Sequence, residues 1–203
     1  MPDPKPPPQY VIKTHEHFLT STDPSLLDVA EVHAYISERS YWGRGIPYSI
    51  MQRALENSLV VGLYDTSMDR GDGRWKQVGF GRWVTDQATF AYLSDVFVVE
   101  EYQGRGLGKW LVECLMSLPQ LETLRRLLLI TGGAEQLYQK YAGFRIVTPG
   151  TGVYTYMEIV RSTEELYGSI AKEEVRVEVH MGMESGDGKT LMERLEEGRL
   201  LAN

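Results

Sequence analysis

Cysteine is nearly missing from this chain: Cys114 is the only one among 203 residues, which excludes an intrachain disulfide and a cysteine-rich zinc site. Histidine is scarce too. His15, His17, His33 and His180 offer no metal-spaced pair beyond His15-x-His17, so no metal is expected. No apolar run approaches the ~20 residues of a membrane span, and no membrane association is expected. The stretch Met1 to Pro8 is proline-rich and lacks the apolar centre of a secretory leader, so residues 1–8 read as a disordered arm. These absences together predict a cytoplasmic protein. An excess of basic residues is also lacking: the formal net charge of −7 argues against a general nucleic-acid binder, which would present a basic face.

What is present points to a phosphorylated ligand. Gln103-Gly104-Arg105-Gly106-Leu107-Gly108-Lys109 lies between the apolar run Val96-Phe97-Val98-Val99 and a helix-patterned segment starting near Leu107. A strand, a glycine-dense turn and a helix N-terminus form a phosphate cradle, because glycines allow close backbone approach and the first helical N–H groups point outward. Arg105 and Lys109 add positive charge. Two common phosphate motifs do not fit. A P-loop, G-x-x-x-x-G-K-[ST], would need glycine where Gln103 stands and Ser or Thr where Trp110 stands. A dinucleotide fingerprint needs G-x-G-x-x-G and an acidic residue after the next strand. Here the glycines alternate, and Leu127-Leu128-Leu129-Ile130 leads into Thr131-Gly132-Gly133.

The length suits one domain with a sizeable core. Strands are expected at Tyr10 to His15, Leu59 to Tyr64, Gln77 to Thr85, Phe90 to Val99, Arg126 to Thr131, Phe144 to Val147 and Val153 to Val160. Helices are expected from Ser25 to Arg39, Tyr48 to Asn57, Leu107 to Pro119 and Ala134 to Tyr141. Asp69 to Gly73 reads as a turn. The β-α-β passage around the cradle implies one parallel strand pair. The predicted class is α/β (α+β), a mixed sheet with helices on both faces. Residues 162–203 stand apart as a strand-helix extension: Val175, Val177, Val179 and Met181 alternate with polar residues, and Thr190 to Leu201 is amphipathic. Such an extension is expected to cover its own sheet or a second subunit, and a homodimer is the favoured form.

The cradle resembles motif A of the GNAT superfamily of N-acetyltransferases, [QR]-x-x-G-x-[GA] after a strand, filled here by Gln103, Gly106 and Gly108, with Gly104 at a frequent second position. Leu137-Tyr138-Gln139-Lys140-Tyr141-Ala142-Gly143-Phe144 is similar to the family's [FL]-Y-x-K-x-G-F segment, with Ala142 as an extra residue. The resemblance covers residues 9–161 and implies a sheet splayed where the strand before the cradle is bulged. It further implies acetyl-CoA as cosubstrate. Backbone groups of Val96, Phe97 and Val98 would hold the pantetheine arm and thioester carbonyl, and N–H groups of Gln103, Gly104, Arg105, Gly106, Leu107, Gly108 and Lys109 the pyrophosphate. Tyr138 would then protonate the departing thiolate, with Tyr141 as the substitute if Ala142 shifts the register.

Other roles are open at this level. Asp95 is a candidate base or an acceptor inside the sheet, and a water chain would serve equally as base. Period-two geometry sets Asp95 opposite Tyr92 and Ser94 unless a bulge intervenes. Tyr41 and Trp42, with Arg44, border the acceptor side in the family, either enclosing a substrate or anchoring a loop; Trp83 and Tyr154 are weaker candidates. The leading expectation is transfer of acetyl to a small-molecule amine. The alternatives are a protein lysine or N-terminus as acceptor, and a non-catalytic acyl-CoA-binding regulatory module.

Overall fold

The computed structural model describes residues 10–69 and 74–147, together with the single position Tyr167. The arm at 1–8, the strand expected at 153–160 and the extension at 162–203 lie outside the described residues, as does most of the turn at 69–73.

Among the described residues, six strands form one sheet in sequential order. β1 (Ile12–His15) and β2 (Phe18–Ser21) make a tight hairpin, and β3 (Leu59–Asp69), β4 (Trp75–Thr85) and β5 (Phe90–Val98) continue the antiparallel run. β6 (Arg126–Leu128) joins β5 in parallel after α3 (Leu107–Met116), as the crossover predicted. α1 (Val29–Ala34), α2 (Tyr48–Glu56) and α4 (Glu135–Ala142) complete the layers. Arg82 and Trp83 are neighbours on β4 and so point to opposite faces. Arg82 bonds to Ser58 after α2, whereas the Trp83 indole N–H donates to Leu115 O on α3 at 3.2 Å. The core therefore occupies both faces of the sheet, with α1 and α2 on one side and α3 on the other.

Several expectations are corrected. β2 was not foreseen: Phe18, Leu19, Thr20 and Ser21 are all buried, and a strand covered on both faces shows no alternation. The helix expected from Ser25 to Arg39 is interrupted. A 3-10 turn at Pro24–Leu26 ends first, then Asp28 caps α1 by accepting from the Glu31 N–H at 3.3 Å. α1 continues as a π-helical turn, Tyr35–Arg39, closed where the Ser40 N–H reaches back to Tyr35 O at 3.0 Å. β3 runs past Tyr64 to Asp69, while the strand expected to reach Thr131 stops at Leu128. No strand forms at 144–147. Phe144 turns its ring edge-on to Tyr138 at 6.2 Å, and Ile146 and Val147 are exposed.

Gly62 on β3 is a position of close approach. A Cβ there would lie 2.5 Å from Tyr64 Cζ and closer still to its hydroxyl oxygen, and Tyr64 is itself buried. Gly62→Ala must displace a buried ring. The expected cost is about 1–3 kcal/mol of unfolding free energy, read as a lowered urea midpoint at unchanged slope. An unchanged midpoint would mean that the ring repacks freely.

Candidate active site

The site begins where two parallel strands part. β5 and β6 pair only from Phe90↔Arg126 to Tyr92↔Leu128, and β5 then runs on alone to Val98. On its other side, Arg82 faces Ser94 but Phe80 faces Phe97, so β5 carries one residue more than β4 across this step. That is a β-bulge, centred on Asp95 at φ +55. The bulge bends β5 away from β6 and cancels the period-two expectation for Asp95. Among the described residues, no strand fills the gap beside β5 beyond Tyr92. Val99 donates to Val78 O on β4 at 2.9 Å, so the neighbouring Val98 peptide groups turn to the open edge. The Gln103 side-chain amide donates to Val98 O there at 2.8 Å.

The cradle follows directly. Gly104 and Gly106 have φ of 75° and 80°, a backbone form that glycine adopts without strain. A Cβ at Gly104, Gly106 or Gly108 would meet nothing within 4 Å, so the loop presents its backbone to open space. Gly106 caps α3 with no side-chain bond, and the first return bond is Trp110 N–H to Gly106 O at 3.1 Å. The N–H groups of Leu107, Gly108 and Lys109 precede that ladder and favour an anion. The two cations are held at the rim. Arg105 donates to Glu101 O at 3.0 Å and lies 4.9 Å over the Tyr102 ring. Lys109 stands 3.7 Å from Glu113 and 5.0 Å over the Tyr141 ring. A row of backbone donors with flanking cations suits an anionic group such as a diphosphate.

Tyr138 is buried on α4 at 9% exposure. Burial, and then the nearby Tyr41 hydroxyl, push its phenol up to about 12. Tyr41 and Trp42 pack edge to face at 5.0 Å and reach opposite banks of the gap. The Tyr41 hydroxyl accepts from Gly132 N–H, between β6 and α4, at 3.1 Å. The Trp42 indole N–H donates to Asp95 Oδ1, in the bulge of β5, at 2.9 Å. Asp95 Oδ2 also accepts from Arg82 Nε at 2.6 Å, and Arg82 Nη1 donates to Ser58 Oγ at 2.9 Å. The fold thus brings Tyr41, Trp42 and Asp95 to one opening, with Tyr138 buried near the Tyr41 hydroxyl. It separates others: Trp83 is fully buried core, Arg44 is exposed on its loop, and Tyr154 lies outside the described residues. Arg82 and Ser58 were missed, because an arginine in a strand and a serine after a helix carry no local signal. Among the described residues, no group of three or more His, Cys, Asp or Glu could hold a metal ion, and no helix is long and apolar enough to cross a membrane.

Residues 69–146 match the profile of the acetyltransferase (GNAT) domain. A Gibberella zeae protein named as an acetyltransferase is 35% identical over 144 residues, covering 65% of this chain and 81% of that protein. A GNAT-family protein of known crystal structure from Xanthomonas campestris is 38% identical, with a TM-score of 0.59 over 71% of this chain and 96% of its own. A histone acetyltransferase from Glycine max is 33% identical over 94 residues, 44% of this chain and 40% of that one.

Proposed function

We propose, from the premise that this chain belongs to the GNAT family of acetyltransferases, that it transfers acetyl from acetyl-CoA to the nitrogen of a small-molecule primary amine. The observation that carries this reading is the gap between β5 and β6 opening directly onto the glycine cradle. In it, N–H groups from Gly104 to Lys109 take the pyrophosphate; the Gln103 N–H, expected among them, instead donates to Glu100 O at 3.1 Å. The open edge of β5 takes the pantetheine amides as an added strand would, through Val96 and Val98, while Phe97 between them, opposite Phe80, turns its peptide groups to β4. The amine attacks the thioester carbonyl carbon as its neutral form, a minority species near neutrality for a lysine-like pKa of ~10.4. The carbon–nitrogen bond forms, the carbon–sulfur bond breaks, and Tyr138 gives its proton to the leaving thiolate. The proton lost by the nitrogen leaves to solvent or a base.

The small acceptor is favoured by the Tyr41 hydroxyl bond across to Gly132, which narrows the opening where a peptide would need a groove. A screen of primary amines and peptides, read as acetyl-CoA-dependent thiol release, tests this. Small amines should be turned over with the higher kcat/KM. Peptides preferred over every amine would move the acceptor to protein. Acetyl-CoA binding without any thiol release would point to a regulatory module.

A further inference from the structure

We propose that Asp95 is a positioning residue, a strap that holds Trp42 over the acceptor side of the gap, and not the base of the reaction. The inference rests on the acetyl-transfer reading and adds a role for the Trp42–Asp95–Arg82 chain. Three observations carry it. First, both carboxylate oxygens already have partners: Oδ1 takes the Trp42 indole N–H at 2.9 Å and Oδ2 takes Arg82 Nε at 2.6 Å. A base must offer an oxygen within about 2.6–3.2 Å of the proton it removes. Second, the Asp95 and Arg82 side chains are only 8% and 14% exposed, so the pair is built into the sheet while Trp42 remains 39% exposed. The fixed end of the strap is buried and the held end faces the opening.

Third, the strap is attached at the bulge itself. Asp95 has φ +55, a region where aspartate and asparagine are several-fold enriched over other side chains. The same residue therefore shapes the gap through its backbone and fixes the acceptor loop through its carboxylate. With Tyr41 tied to Gly132 on the far bank, the loop after the π-helical turn is held to β5 on one side and to the connection after β6 on the other. An acceptor entering beside this aromatic pair would meet a surface whose position is set by the thioester gap. That favours a primary amine carrying an aromatic or other flat apolar group.

The test uses the full chain as wild type, Asp95→Asn, Asp95→Ala, Trp42→Phe and the Asp95→Ala/Trp42→Phe double variant. The first readout is hydrogen exchange of the Trp42 indole N–H by NMR, its signal identified by its loss in Trp42→Phe. Exchange should accelerate at least ~10-fold in Asp95→Ala and by a smaller factor in Asp95→Asn, whose single amide oxygen can accept from only one of the two donors, the indole or Arg82. The second readout is thiol release from acetyl-CoA with 2-phenylethylamine as the probe amine. Asp95→Ala and Trp42→Phe should each raise the amine KM about 3- to 30-fold with kcat within about threefold, and the double variant should be no worse than the poorer single.

Unchanged indole exchange in Asp95→Ala would overturn the strap. So would a loss of ~10²-fold or more in kcat for Asp95→Asn beside a near-wild-type Trp42→Phe, the pattern of a base. If Asp95→Ala does not fold, Asp95→Asn and Trp42→Phe still separate the two patterns. A wild type that binds acetyl-CoA but releases no thiol with this amine fails the acceptor reading, and the exchange measurement then decides the strap alone.

Discussion

Tyr138→Phe is expected to lower turnover about 10²–10⁴-fold while leaving acetyl-CoA affinity within a few-fold of wild type. The ring is retained, so its edge-on contact with Phe144 and its place in the core persist. Only the hydroxyl is lost. Because burial pushes that phenol up to about 12, it keeps its proton throughout the range where an amine acceptor gains reactivity with rising pH. The ratio of wild-type to variant rates should therefore stay flat between about pH 7 and 9. It should fall only as the solution approaches the raised pKa, where the wild type begins to lose its donor. Stopped-assay rates across this range check both statements. A ratio near one would transfer the role to Tyr141, whose ring now lies under Lys109 and Lys140, or to water.

Gly106→Asp should abolish most acetyl-CoA binding with the fold intact. The added Cβ has open space around it, so the variant loses little packing. A residue with a side chain held at φ +80 carries strain of roughly 1 kcal/mol. The larger effect is electrostatic. A carboxylate about 4 Å from a phosphate charge is repelled by about 4 kcal/mol at an effective dielectric of about 20, which corresponds to an affinity loss of ~10²-fold or more. Gly106→Ala introduces the strain without the charge and should bind much closer to wild type. Calorimetric titration of both variants, with thermal unfolding as the folding control, gives the comparison. A folded Gly106→Asp that binds acetyl-CoA as the wild type does would remove the phosphates from this loop.

Legibility in the sequence followed the range of the interactions involved. The cradle was readable because its chemistry is local: alternating glycines, a helix start and two cations within seven positions, Gln103 to Lys109. α3 and α4 were readable for the same reason, and Gly143 ends α4 at φ +70 where a C-terminal glycine belongs. β2 was not readable, since Phe18 to Ser21 are buried on both faces and lose the alternation that marks a strand. The break before α1 was hidden because Ser25 to Arg39 keeps helical spacing. There Asp23 and Asp28 each cap a separate turn. The expected strand at 144–147 is not formed, although apolar residues there gave the preference, and the strand expected after it, 153–160, lies outside the described residues.

By itself the sequence determined the glycine loop that opens α3 and the helix on which Tyr138 lies, because glycine conformations and helix termini depend on neighbours along the chain. Only the tertiary structure decided what Asp95, Arg82, Ser58 and Trp42 do together. Their bonds join positions 13, 24 and 53 residues apart. Those bonds exist because one extra residue in β5 turns Asp95 toward Arg82 and Trp42. A bulge of that kind depends on which strand lies alongside, and pairing between strands is a property of the folded sheet.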